Sequence, residues 1–108
     1  MNRGVVLWVD LSDAQPPELG KTRPAVVLSN SVQNASLGTI VVVPLSSQAP
    51  EIWPLRVEVA FGAGKQKSFA VVPGIRQVRK SRLRQPLGRL SGTDLARLNE
   101  AVRTYLSD

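Results

Sequence analysis

"KTRPAVVLSN", residues 21–30, opens as a loop and closes as a buried strand. Pro24 biases the residue before it toward extended backbone, so Arg23 does not lead out of a helix. Ala25, Val26, Val27 and Leu28 then run apolar without a break, the pattern of a strand covered on both faces, and a strand is predicted over Ala25–Ser29. Arg23 stands at its head, either as a rim residue snorkelling its charge into water or as a charge positioned by a rigid strand.

Outward from this stretch the chain reads as further short strands. Val5–Asp10 alternates loosely around Trp8, and the following "LSDAQPPELGKT" carries two prolines, a glycine and polar residues that mark a long loop. "NSVQNASLG" reads as turn chemistry. Thr39–Leu45 is a third strand, with Pro44 predicting a bulge or a strand end. In "LRVEVAF", residues 55–61, Leu55, Val57 and Val59 alternate with Arg56 and Glu58, which predicts one wet face. After "GAGK", "SFAVVPGIRQV" supplies one or two more strands broken at Pro73 and Gly74. The period then changes. Ser91 followed three residues later by Asp94 fits a capping box. Leu95, Leu98, Val102 and Leu106, with Ala101 and Tyr105 nearby, mark the apolar stripe of a helix ending near Ser107. The fold class expected is mainly β with a C-terminal helix: a small, strongly twisted β-barrel of five or six strands capped by one main α-helix, with a hollow where loops converge.

The chain has 108 residues, the size of one domain with a single core, and residues 1–108 are read as that domain. No stretch approaches the roughly 20 apolar residues of a membrane span, and the five apolar positions before Asp10 are too few for a secretory signal, so the expectation is a cytoplasmic protein without a membrane partner. Zero cysteines exclude disulfides and thiolate metal sites; zero histidines remove the usual general base and the commonest metal ligand. Neither a metal nor another cofactor is expected. Chemistry falls to carboxylates, hydroxyls, lysine and arginine. The net charge is +6, and eight of the fourteen basic residues lie between Lys65 and Arg89, where no acidic residue occurs. A block of one sign makes a positive field that attracts polyanions. A nucleic acid, an acidic protein or solvent alone would each suit such a face, and five aromatics leave little for base stacking.

Taken together, "RGVVLWVDL", "GKTRPAVVLSN", "VVVPLSS" and "IRQVRKSRL" come in the order and spacing of the MazF/PemK-type toxins of bacterial toxin–antitoxin pairs, which the chain resembles over about residues 2–106. The resemblance implies a barrel-and-helix homodimer that cleaves single-stranded RNA at short sequences without a metal and is silenced by a cognate antitoxin. Cleavage of RNA by its own 2′-hydroxyl needs in-line orientation, proton movement and stabilised phosphoryl oxygens. Arg23 suits the last task, since a planar, permanently charged fork grips phosphate oxygens in bidentate fashion. Glu18 matches an acidic position of some members and is the candidate acceptor of the 2′-hydroxyl proton. Ser46 stands where the family usually has threonine and keeps its hydroxyl donor. Lys21, Ser47, Arg76, Arg79, Lys80 and Arg82 are the RNA-binding candidates.

This chain also departs from the family. Where members often read "D-Q-I-R" after the fifth strand it reads "P-G-I-R", with Pro73 in place of an aspartate, and Val71 stands where some members carry an arginine. Catalysis through Glu18, Arg23 and Ser46 survives these changes; catalysis through the missing pair does not. The alternatives are a member that binds RNA or antitoxin without cutting, a gyrase poison of the CcdB type, and a small-barrel interaction module.

Overall fold

The computed structural model describes residues 1–48 and 55–107. Seven strands and two α-helices follow one another among these residues: β1 Val5–Asp10, β2 Thr22–Val27, α1 Ser31–Ser36, β3 Thr39–Ser46, β4 Arg56–Phe61, β5 Gln66–Val71, β6 Arg76–Arg79, β7 Leu83–Arg89 and α2 Gly92–Leu106. The ladder runs β4-β5-β3-β2-β1-β7, with β6 on β3, and every pairing is antiparallel.

The unbroken apolar runs are explained by cover on both faces of the sheet. Val6, Val26, Val43, Leu45, Val59, Phe61 and Leu98 share one buried cluster, while Leu7, Val9, Ala25, Val27, Ile40, Val42 and Val78 form a second. Successive residues of β1, β2 and β3 point alternately into the two, as the period of two requires. Helix α2 closes the first cluster through Leu98 and Ala101, with Leu95 and Val102 partly buried against it.

Strand β3 organises the sheet. On one edge Val42–Pro44 pair with β2; on the other, Thr39–Val42 pair with β6 and Leu45 and Ser46 with β5. Pro44 lies in the gap between the β6 and β5 ladders, where its missing N–H breaks neither, so it marks a change of partner and not the expected strand end. The sheet curls until β4 and β7 approach each other at two glycines. A Cβ built on Gly88 would lie 2.8 Å from the Gly62 nitrogen and 2.9 Å from its Cα, with φ +149° at Gly88 and +75° at Gly62.

Several expectations are corrected. The second strand begins at Thr22 and ends at Val27, so Arg23 lies within the strand, paired with Val9, and not before it. "NSVQNASLG" holds helix α1, capped by the Asn30 side chain on the amides of Val32 and Gln33. Strand β7 was read only as part of a basic block; it pairs irregularly with β1, which accommodates Pro86 and Gly88 on an edge strand. The capping box forms by half. Ser91 accepts from the Asp94 amide, but Asp94 accepts from the Ala60 amide at 3.0 Å and from Arg97 at 3.1 Å, tying α2 to β4. The apolar stripe of α2 ends early, with Leu106 67% exposed. Trp53 and the loop positions 49–54 lie outside the described residues.

Candidate active site

Strand β2 delivers Arg23 and strand β3 delivers Ser46 to one cavity of about 470 Å³, where Lys21, Ser47, Gln48, Trp8 and the start of β5 complete the lining. Lys21 has a left-handed backbone, φ +68°, and its carbonyl accepts from the Leu11 amide at 2.8 Å, which turns the chain back onto β1. That turn presents the Gly20 carbonyl to Arg23, whose Nε donates to it at 2.8 Å. One of the five guanidinium donors is thereby used to aim the group, and the two terminal nitrogens stay open among the described residues. Arg23 is thus half-buried and held in one direction, not splayed into water at the rim.

Ser46 is the last residue of β3. Its Oγ accepts from the Gln48 amide at 3.2 Å, and its carbonyl accepts from the buried Ser68 hydroxyl at 3.0 Å. Both contacts leave the Ser46 hydroxyl proton free to be donated. Sequence reasoning missed Trp8, Gln66, Lys67 and Ser68 as members of this cavity. For Ser68 a signal existed, a hydroxyl opening the apolar run that ends β5; Lys67, the second lysine of this cavity after Lys21, was hidden in the basic block.

The remaining candidates are distributed over two neighbouring hollows. Glu18 lines a second cavity of about 330 Å³ together with Arg76, and this cavity shares the wall residue Leu19 with the first. Glu18 therefore belongs to the adjacent compartment and not to that of Arg23 and Ser46. Arg76, Arg79 and Arg82 line a third hollow of about 390 Å³ with Asp13, Thr39 and Gln77. Leu19 and Arg76 link the three in series. Lys80 is exposed in the short 3₁₀ turn Lys80–Arg82.

The basic block is less uniform in space than in sequence. Arg76 donates to both carboxylate oxygens of Asp13, at 3.2 and 3.0 Å, Arg82 lies 3.5 Å from the same group, and Arg84 lies 3.5 Å from Asp10. The Arg76 hydrogen bond holds the Asp13 carboxyl below the usual aspartate value, with the Arg76 and Arg82 charges adding to it. For Asp10 the hydrogen bonds from the Ser12 side chain and backbone act first, then Arg82 and Arg84. Two carboxylates distant in sequence thus neutralise part of the block. Arg79, Lys80, Lys67 and Lys65 have no ion pair among the described residues.

An aimed arginine fork and a free hydroxyl thus share one cavity with Lys21 and Lys67 on a curled sheet. Residues 2–106 match the family described as PemK-like, MazF-like toxin of type II toxin–antitoxin system, and the chain belongs to that family. It is 38% identical to the endoribonuclease MazF9 of Mycobacterium tuberculosis, with 98% of this chain and 96% of that protein covered. The fold is similar to that of MazF from Deinococcus radiodurans (TM-score 0.85, 22% identity, 98% and 96% covered) and of a mycobacterial endoribonuclease in complex with its cognate antitoxin (TM-score 0.79, 24% identity, 98% and 94% covered). The chain is a toxin of this family, and endoribonuclease is the activity for which its relatives are named.

Proposed function

We propose that this toxin endoribonuclease cuts single-stranded RNA by attack of the RNA's own 2′-hydroxyl on the adjacent phosphate, with Arg23 and Ser46 as the catalytic residues. The observation that carries the reading is the meeting of the aimed Arg23 guanidinium and the open Ser46 hydroxyl in one cavity. The 2′-hydroxyl gives up its proton to solvent as the O2′–P bond forms and the P–O5′ bond breaks, the departing O5′ takes a proton from solvent, and negative charge grows on the non-bridging oxygens in between. Arg23 offers two parallel donors to those oxygens, and Ser46 adds a third. RNA supplies the nucleophile, so the step requires no metal-activated water. Lys21 and Ser47 hold flanking phosphate in the same cavity, while Arg79 and Lys80, with Arg76 and Arg82 beside them, extend the positive track along the linked hollows.

The working unit in this reading is a cytoplasmic homodimer, for which the 37% exposure of Trp8, an indole in mid-strand, supplies a motive. The partner that silences it is an antitoxin with an acidic segment that folds onto the same basic track. Cleavage of a long RNA in the presence of a chelator tests the core of the reading. Wild-type protein is expected to cut, and Arg23→Ala is expected to lose about 100- to 1,000-fold while keeping its circular dichroism spectrum. A folded Arg23→Ala protein with full activity returns Arg23 to a structural role.

A further inference from the structure

The second cavity has a chemistry of its own. Its walls are Pro17, Leu19, Val71, Pro73 and Ile75, and its two charged lining residues differ in state. Arg76 is occupied by Asp13. Glu18 accepts a single hydrogen bond, from the Gln15 amide to Oε1 at 3.1 Å, and its Oε2 has no partner among the described residues. The hollow is therefore apolar with one open anionic acceptor.

It is also rigid. The 3₁₀ turn Val72–Gly74 is anchored by the Val72 amide on the Leu55 carbonyl at 2.9 Å, and Gly74 packs so tightly that a Cβ would sit 2.6 Å from Pro44 Cγ. Val71 and Pro73 supply apolar wall at the two positions where the family resemblance leads one to expect an arginine and an aspartate. This chain thus carries apolar surface in place of those charges beside the cavity of Arg23 and Ser46, with Leu19 as the shared partition.

An apolar hollow of this size with one open hydrogen-bonding group in its wall suits a splayed-out nucleobase, which RNA-binding proteins read on its Watson–Crick edge. A carboxylate only accepts. Guanine alone presents two adjacent N–H donors, N1–H and the N2 amino group, that match both carboxylate oxygens, the open Oε2 and the second lone pair of Oε1 beside its bond from the Gln15 amide. Adenine and cytosine place a ring acceptor beside their amino group, and uracil flanks its N3–H with two carbonyls, so each sets a lone pair against the carboxylate.

We propose that this hollow is a subsite for the base of a nucleotide flanking the scissile phosphate, that Glu18 reads the edge of that base, and that guanine is its preferred occupant. The proposal rests on the RNA-cleaving reading of the neighbouring cavity. It makes Glu18 a specificity-determining residue and not the acceptor of the 2′-hydroxyl proton.

The test is a set of RNA oligonucleotides carrying each of the four bases, and inosine, at each position flanking the cut. Wild-type protein is expected to prefer guanine at one position by about ten- to a hundredfold in kcat/KM, with inosine, which lacks the N2 amino group, in between. In Glu18→Gln the rate on the guanine substrate is expected to fall toward that on the others, with the shape of the pH–rate profile retained. Wild-type cutting without guanine preference overturns the subsite alone. A Glu18→Gln protein that keeps the base preference but loses rate on every substrate, together with the acidic limb of its pH profile, makes Glu18 the proton acceptor and overturns the proposal. A wild-type protein that cuts no RNA removes the activity reading and the subsite with it.

Discussion

Arg23 shows how a single side chain acquires a task from its neighbours. The Lys21 turn places the Gly20 carbonyl, that carbonyl takes the Arg23 Nε, and the terminal nitrogens are left facing the cavity. Lysine preserves the charge but not the fork, so Arg23→Lys is expected to lie closer to Arg23→Ala than to wild type in a cleavage assay. Ser46 is held at its carbonyl by Ser68 and contributes one neutral donor. Ser46→Ala is accordingly expected to cost less than Arg23→Ala, and Ser46→Thr to equal or exceed wild type, since its β-branch stiffens χ1 while keeping the hydroxyl. Single-turnover rates for these variants on one oligonucleotide decide the order. Arg23 and Ser46 were legible in sequence because each sits at the end of a strongly patterned strand. The compartment of Glu18 was not, because the path of the 11–21 loop has no periodicity from which to read it.

At the scale of elements, the legible ones are those whose burial is periodic. Val57 and Val59 in β4 alternate with Arg56 and Glu58 as expected, Leu55 falling just before the strand, and the break at Pro73 and Gly74 separates β5 from β6 as expected. Helix α1 was hidden because its work is polar. Its buried Asn34 donates to the carbonyls of Met1 and Ser29 at 3.0 and 3.1 Å and accepts from the Ser29 hydroxyl, which in turn receives the Val41 amide. Strand β7 was hidden because Arg84, Gln85 and Pro86 are all exposed on an edge. Its fit depends on Gly88, whose missing side chain lets β7 meet β4. Gly88→Ala forces a methyl group against backbone, which cannot yield as a flexible side chain would, and adds strain at a φ that favours glycine. Thermal unfolding is expected to show a loss of about 1–3 kcal/mol.

Across the whole molecule, charge distant in sequence is brought together. The Asp13 and Asp10 carboxyls, both held below their ordinary value, contribute stability that is present above about pH 4 and lost as pH falls through their lowered folded-state values, since the unfolded chain then binds protons more readily. The melting temperature is expected to drop on acidification below about pH 4, and less steeply in Asp13→Asn, which has already lost the titrating group. A melting temperature as pH-sensitive in Asp13→Asn as in wild type would show these arginines to be indifferent to their partner. The same closure has a consequence in time. Strand β1 has β2 on one edge and β7 on the other. Its second edge stays open on the ribosome until residues 83–89 have emerged, so the sheet that aims Arg23 is completed well after Arg23 itself is made, by long-range pairing of the slow kind. A nuclease built on that plan leaves the ribosome that makes it an interval between the forging of the blade and its setting in the handle.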